Sequence, residues 1–276
     1  MTRYKPLLLA LVGGSLLWTF HADAEQLQYK VKAGDRWKLK THLKGYGTMT
    51  WDAQGQKRPL PLEITIESTP VCKITSVDAD GTFEVTTEYR VDVMKVLIGG
   101  KETPVVIPTS HPRITTKADK FGRVVEAQEP LNATSEDVLG VDFNLILSAI
   151  PNVFSEKDIR VGDTWEFRQQ KNVTIKMTGK LLAIEGDVAR VEYTMEIPLQ
   201  HFAEALRRRL KRQTGQGDLT VRGKDLTGRM ISLVNLSNGF PVRSEGVMHM
   251  DIEVEAPGQF RLHQVMQLTL QRELVP

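Results

Sequence analysis

The chain carries the same short stretch twice, as Gly34-Asp35-Arg36-Trp37 and as Gly162-Asp163-Thr164-Trp165. Each copy runs directly into a segment in which polar and apolar residues alternate, Lys38-Leu39-Lys40 after the first and Glu166-Phe167-Arg168 after the second. Glycine followed by aspartate favours a tight turn, and alternation with a period of two is typical of a strand with one buried face. The repeated stretch therefore predicts a chain built from two versions of one β-rich unit.

Further landmarks follow both copies in the same order. Ile74 to Val77 in the first half corresponds to Leu181 to Ile184 in the second. The turn predicted at Asp78-Ala79-Asp80-Gly81 corresponds to Glu185-Gly186-Asp187. The stretch between the repeated glycine and the first landmark is longer in the first half. We therefore predict an internal duplication with an insertion in the first half, over residues 45–66, because loop-closure entropy grows only slowly with length.

Residues 1–24 have the pattern of a secretory signal peptide. Arg3 and Lys5 precede an apolar run over residues 7–20, and Ala22-Asp23-Ala24 is a cleavage site of small residues. An uncleaved anchor is the alternative, but the run is short for a bilayer span, which needs roughly 20 residues. We therefore expect a protein that is exported to the periplasm or the extracellular medium and is soluble after cleavage.

The rest of the chain divides into a first β-rich half, residues 25–156, and a second, residues 157–276. Two segments have apolar residues at helical spacing, Ser135 to Ile150 and His201 to Arg212. We predict a mainly β fold of the α+β class, in which two related antiparallel curved sheets or half-barrels are each covered by a helix. The pattern leaves open whether the halves form one continuous sheet or two half-barrels.

Composition and motifs exclude several classes of function. The formal net charge is only +2, with 25% charged and 41% hydrophobic residues, so no nucleic-acid partner is predicted. Phosphate loops, nucleophile elbows and zinc motifs are absent from the sequence, so we predict no catalytic residues, no metal and no cofactor. The single cysteine, Cys72, is interpreted as a small buried residue rather than a reactive thiol.

The C-terminal strands contain the nearest approach to a metal site. His249 and His263 fall on the polar faces of adjacent strands, with Asp251 and Glu253 close in sequence. Imidazole and carboxylate groups suit zinc. Because two exposed histidines on a hairpin are commonly incidental, we interpret them as surface residues.

One strong cluster of positive charge lies in the second predicted helix. Its functional interpretation is contact with an anionic membrane surface or an envelope protein, and its alternative is a solvated helix end before a flexible loop. The cluster consists of Arg207, Arg208, Arg209, Lys211 and Arg212.

Methionine is frequent on the predicted apolar faces of the second half, at Met195, Met248, Met250 and Met266. Flexible methionine side chains adapt to irregular apolar ligands, although the same residues also suit a packed core. The leading hypothesis is a non-catalytic binding or carrier protein for a lipid or other apolar ligand. The alternatives are a structural or protein-interaction module that uses exposed strand edges and the basic helix, and an enzyme of unknown class. The oligomeric state stays open.

The paired Gly-Asp-x-Trp segments resemble those of an uncharacterised family of secreted bacterial β-rich proteins. More distantly, long antiparallel strands with covering helices are similar to the half-barrel of periplasmic lipoprotein carriers and related lipid-binding proteins. This likeness implies an architecture and carries over no functional residue.

Overall fold

The computed structural model describes residues 24–53, 56–104, 113–127, 152–170, 174–200, 203, 220–256 and 260–275. Within this part of the chain the elements are strands, and all of them belong to one 15-stranded antiparallel sheet. The strands are β1 (Arg36–Ala53), β2 (Gln56–Ser68), β3 (Val71–Val77), β4 (Phe83–Glu88), β5 (Val91–Ile98), β6 (Lys101–Thr103), β7 (Arg113–Ala118), β8 (Val124–Ala127), β9 (Thr164–Gln170), β10 (Thr174–Glu185), β11 (Val188–Ile197), β12 (Thr220–Gly223), β13 (Leu226–Asn235), β14 (Pro241–Ala256) and β15 (Phe260–Val275).

The predicted α+β class is wrong, and so are two separate sheets with one covering helix each. The described part of the chain contains no helix among its elements, so it also contains none long and apolar enough to cross a membrane. Of the two segments predicted to be helical, residues 135–150 and all of residues 201–212 except Ala203 lie outside the described residues. The described part of the chain is all β, in agreement with the period-two alternation of its sequence.

The two halves join because the first long strand pairs with the last. β1 and β15 are in register from Lys38 opposite Val275 to Asp52 opposite Arg261. On its other edge β15 pairs with β14, and the order continues through β13, β11 and β10 to β9. The main path on the first-half side runs from β1 through β3, β4 and β7 to β8. One continuous sheet thus replaces the two predicted ones.

The sheet divides into two branches along the outer edge of β1. Arg36 to Lys38 pair with β3, whereas Thr41 to Ala53 pair with β2, which continues to β5 and β6. Where the branches separate, the Leu39 amide donates to the Pro70 carbonyl at 3.2 Å. Proline has no amide proton for a strand ladder, which suits it to this end of a branch. The residues predicted as an insertion thus lengthen β1 and build β2.

The two Gly-Asp-x-Trp stretches form turns with the same hydrogen bonds. The Asp35 carboxylate accepts from the Lys32 amide at 2.8 Å, and the Asp163 carboxylate accepts from the Arg160 amide at 2.9 Å. The Gly34 amide donates to the Ile74 carbonyl, as the Gly162 amide does to that of Leu181. Those acceptors are the paired landmarks identified in the sequence. The internal duplication and the division at residues 156 and 157 stay predictions.

One large apolar core lies against the sheet and draws on both halves. Among its most completely buried members are Leu62 of β2, Leu181 of β10 and Leu268 of β15. A smaller cluster, formed by Ile74, Phe83 and Ala118, lies on the β3–β4–β7 branch. A cavity lies beside this second cluster and is lined in part by Phe83 and Ala118.

Candidate functional site

A cavity of about 200 Å³ lies where the two branches of β1 separate. Its floor is the inner face of the sheet. Tyr29 and Asn152 also line it, and they belong to the segments that precede the two Gly-Asp-x-Trp turns. Most of its wall is aromatic or aliphatic, and the remainder is polar. The lining residues are Tyr29, Trp37, Leu39, Thr41, Ser68, Pro70, Cys72, Phe83, Val85, Thr87, Tyr89, Thr116, Ala118, Gly122, Val124, Asn152, Phe240, Pro241, Ser244 and Arg272.

Backbone hydrogen bonds hold the segment around Tyr29 across two hairpin turns. The Tyr29 amide donates to the Lys120 carbonyl at 2.7 Å, and the Lys30 amide donates to the Asn238 carbonyl at 3.1 Å. Neighbouring backbone comes so close to both of these hairpin turns that each needs a glycine, Gly122 in one and Gly239 in the other. A Cβ on Gly122 would lie 2.3 Å from the Asn152 carbonyl oxygen, and one on Gly239 would lie 2.5 Å from that of Gln28.

Aromatic rings form the apolar part of the wall. The Tyr29 ring lies 5.4 Å from that of Phe83 and 5.2 Å from that of Phe154, measured between centroids. Trp37 stacks on Phe240 with 4.2 Å between the ring centroids. The Tyr29 hydroxyl donates to the Asn152 carbonyl at 3.2 Å, which satisfies the one polar atom of its side chain. Packed rings of this kind hold the wall in place.

A row of polar residues crosses the inner face of the sheet beneath this wall. Ser68 of β2 is opposite Thr41 of β1, Thr41 is opposite Arg272 of β15, and Arg272 is opposite Ser244 of β14. Ser244 is in turn opposite Ser232 of β13, and their hydroxyl oxygens are 2.8 Å apart. The serines and the threonine are buried, and all but Ser232 line the cavity.

Two buried polar atoms at the cavity lack a hydrogen-bond partner within the described structure. They are Oγ1 of Thr41, which belongs to β1, and Nδ2 of Asn152, which precedes β9. An unsatisfied buried group of this kind costs about 1–3 kcal/mol. A ligand that hydrogen-bonds to these atoms would recover that cost.

Arg272 brings a guanidinium group to the lining of the cavity. An arginine guanidinium stays protonated in proteins, and among the described lining residues there is no aspartate or glutamate. Burial lowers the pKa of Arg272, because a charged group loses hydration there, and the neighbouring Tyr89 acts in the opposite direction. Burial raises the pKa of the Cys72 thiol and of Tyr29, so both neighbours stay neutral near pH 7. Cys72 is buried, as predicted.

The four methionines predicted as an apolar ligand face are all buried members of the large core. Met195 and Met248 border a void of about 20 Å³, which is room for one water molecule at most. Met195 also lines a broad depression of about 460 Å³ over β9, β10, β11 and β13. None of the four, which include Met250 and Met266, lines the cavity. Their role in ligand contact stays a prediction.

None of the other predicted candidates that the structure describes lines the cavity. Arg207, Arg208, Arg209, Lys211 and Arg212 are outside the described residues. On the C-terminal strands, His263 Nε2 lies 2.9 Å from Asp251 Oδ1, and Lys224 Nζ lies 3.2 Å from the other oxygen of that carboxylate. The His263 hydrogen bond, with Lys224, lowers the pKa of Asp251. No group of three or more His, Cys, Asp or Glu residues that could hold a metal ion occurs among the described residues.

Sequence reasoning missed Arg272, although the alternation of β15 contains a signal for it. Leu268 and Leu270 precede it, and Leu274 follows it, on the same face of the strand. A cation at an apolar position of a strand is the pattern that would have identified it, since charged residues are rarely buried without a partner or a function.

Comparisons with known proteins relate the chain to others through its fold. No protein-family model and no curated protein sequence matches it. Similar solved structures include lipovitellin, in a study of its lipid–protein interactions, with a TM-score of 0.50 and 11% sequence identity. That match covers 89% of this chain, but the chain spans only 25% of the lipovitellin chain. The predicted distant likeness to lipid-binding proteins is thus supported for the fold alone.

A second solved structure, a DUF1329 family protein from Desulfovibrio piger, is similar over 84% of this chain and 83% of its own. Its identity is 8% and its TM-score is 0.14, too low to indicate a shared architecture. Membership of an uncharacterised secreted family with paired Gly-Asp-x-Trp units stays a prediction.

Proposed function

We propose that this protein is a non-catalytic, exported binding or carrier protein for an apolar ligand. The observation that carries the proposal is the cavity at the branch point of the sheet, whose wall is mainly aromatic and aliphatic. Binding sites are typically concave and apolar with a few polar groups that orient the ligand. The fold of lipovitellin, a protein studied for its lipid–protein interactions, supports the same function.

The size of the cavity defines what it can hold. An apolar cavity of about 150 Å³ in another protein binds benzene, so about 200 Å³ accommodates one short chain or ring. A whole two-chain lipid does not fit in that volume. We therefore propose a single-chain ligand, or one chain of a larger molecule whose remainder stays outside.

Filling the cavity is expected to abolish ligand binding. Thr116 lines the cavity from β7, so Thr116→Phe places a ring in the space that the ligand needs. Thr115 is the preceding residue and lies on the opposite face of the same strand, so Thr115→Phe is the matched control. Native mass spectrometry of the three proteins, purified without detergent and incubated with decanol, measures the loaded fraction.

We expect at least a tenfold loss of loading for Thr116→Phe and little change for Thr115→Phe. Circular dichroism confirms that both variants keep their strands. The proposal is wrong if the unmodified chain binds no decanol and carries no co-purified apolar molecule. Equal loading of the Thr116→Phe variant would place the ligand elsewhere in the molecule.

A further inference from the structure

We infer that the ligand carries a neutral oxygen, a hydroxyl or a carbonyl, that hydrogen-bonds to the side chains of Thr41 and Asn152. This assignment rests on the proposed function and specifies the polar group of the apolar ligand. It places the hydrocarbon part of the ligand against the aromatic wall.

Two buried side chains give the cavity free hydrogen-bonding capacity. Thr41 is 2% exposed and Asn152 is 4% exposed, and both line the cavity. Oγ1 of Thr41 and Nδ2 of Asn152 have no hydrogen-bond partner within the described structure. A threonine hydroxyl and an asparagine amide nitrogen can both donate hydrogen bonds, and a hydroxyl or carbonyl oxygen has two lone pairs to accept them. One such oxygen on the ligand therefore complements both side chains.

Both side chains are held in place by the structure around them. Thr41 lies within β1, paired on one side with β2 and on the other with β15. The Asn152 carbonyl accepts from the Tyr29 hydroxyl at 3.2 Å, and a Cβ on Gly122 would lie 2.3 Å from the same carbonyl oxygen. Its backbone is therefore already engaged, and its side-chain nitrogen is left for a ligand. Groups that are fixed in advance bind a ligand without the cost of ordering them.

Other polar groups of the lining differ from these two because they already have partners. The Ser244 hydroxyl lies 2.8 Å from that of Ser232, and Cys72 Sγ lies 3.5 Å from Thr87 Oγ1. Arg272 also has an interaction within the protein. A ligand therefore gains its polar contacts from the two free groups rather than from these.

A neutral oxygen fits this lining better than a charged group. A threonine hydroxyl and an asparagine amide are both uncharged, and a ligand charge would lose its hydration on entering a mainly apolar cavity. A neutral hydroxyl or carbonyl costs less to bury and is satisfied by the same two hydrogen bonds. Trp37, Phe83 and Phe240 line the cavity as well. A molecule with one such oxygen on an apolar body thus matches the whole lining.

Isothermal titration calorimetry with three probes of similar size tests the assignment. Benzyl alcohol carries a hydroxyl, acetophenone carries a carbonyl, and ethylbenzene carries neither. Thr41→Val and Asn152→Leu each keep the approximate shape of the side chain and remove its polar group. We expect both variants to weaken binding of the same oxygen-bearing probe by about tenfold, because its oxygen loses a buried hydrogen bond. Ethylbenzene should bind as tightly as before or more tightly, and the probe with the larger loss identifies the hydroxyl or the carbonyl.

Ser244→Ala is the matched control. It removes a buried hydroxyl that lines the same cavity but already has Ser232 as its partner. We expect binding of all three probes to change little and Tm to fall, since Ser232 loses its hydrogen bond. Thr41→Val should instead keep or raise the Tm of the ligand-free protein, because it removes a buried hydroxyl without a partner. Thermal melts followed by circular dichroism measure both and show that each variant is folded.

The outcomes separate this assignment from the proposed function. If ethylbenzene alone binds, or if both folded variants shift all three probes equally, the oxygen contact is wrong and the apolar binding function stands. Equal shifts are also the result expected if only water binds at these side chains. A loss in one variant but not in the other would overturn the contact shared by Thr41 and Asn152. If neither ethylbenzene nor decanol binds to the unmodified chain, the proposed function itself fails.

Discussion

Replacement of Gly47 by alanine is expected to destabilise the protein by about 3 kcal/mol or more. Gly47 lies in the middle of β1, opposite Met266 of β15. A Cβ at this position would lie 2.0 Å from the Val265 carbonyl oxygen and 2.8 Å from the Met266 Cα. Both are backbone atoms, so the added methyl group must push β1 and β15 apart where the two halves join. Urea denaturation measures the loss.

Gly45→Ala is the matched control for this prediction. Gly45 lies on the same face of the same strand, but its nearest neighbour would be the Leu268 side chain at 2.8 Å. A leucine methyl group can move to another rotamer, so we expect a loss of about 1 kcal/mol. Equal midpoints for the two variants would show that contact between the backbones of β1 and β15 does not limit stability.

Removal of the Trp165 side chain is expected to cost about 3 kcal/mol, at the lower end of the range for truncation of a large ring to alanine, because the ring is half-buried against the large core. The ring covers Gly179 on the neighbouring strand so closely that a Cβ there would lie 2.2 Å from it. The indole nitrogen donates to the Val153 carbonyl at 2.9 Å. Trp165→Ala therefore leaves a cavity over Gly179 and also removes the hydrogen bond that holds the segment around Val153. Guanidinium denaturation followed by circular dichroism checks the value.

Trp37 occupies the same position in the other Gly-Asp-x-Trp stretch and makes an informative comparison. It stacks on Phe240 and borders the cavity, so its ring already faces open space on one side. We expect Trp37→Ala to lower the free energy of unfolding by about 2 kcal/mol and to weaken ligand binding. Trp165→Phe, in contrast, should leave ligand binding unchanged. Equal losses of stability for the two alanine variants would contradict this division of roles.

Local patterns in the sequence predict the turns and strands but not how they are paired. Glycine and aspartate at positions 34–35 and 162–163 identify both turns, because these residues favour tight turns wherever they stand in a chain. Alternation identifies the buried face of β11, where burial follows every second residue from Ala189 to Ile197. Two sheets were predicted because nothing in residues 36–53 indicates that their partner lies in residues 260–275.

The polar row could not be predicted from the sequence, again because local patterns do not show which strands pair. Ser68, Thr41, Arg272 and Ser244 are far apart along the chain and become neighbours through strand register alone. Each of them is an unremarkable residue in its own strand, apart from the arginine between two leucines. The methionines, by contrast, are conspicuous in the sequence and lie in the packed core. A site assembled by register therefore needs a structure to be recognised.

The pairing of β1 with β15 has a consequence for the order in which the chain can fold. Non-local pairing slows folding, because the closure entropy is lost before the contacts form. Until β15 is present, one edge of the long strand Arg36–Ala53 has no neighbour and can template aggregation. A truncated product that ends before Phe260 would therefore keep this edge unpaired, and pairing along β1 is complete only after the last strand has been synthesised.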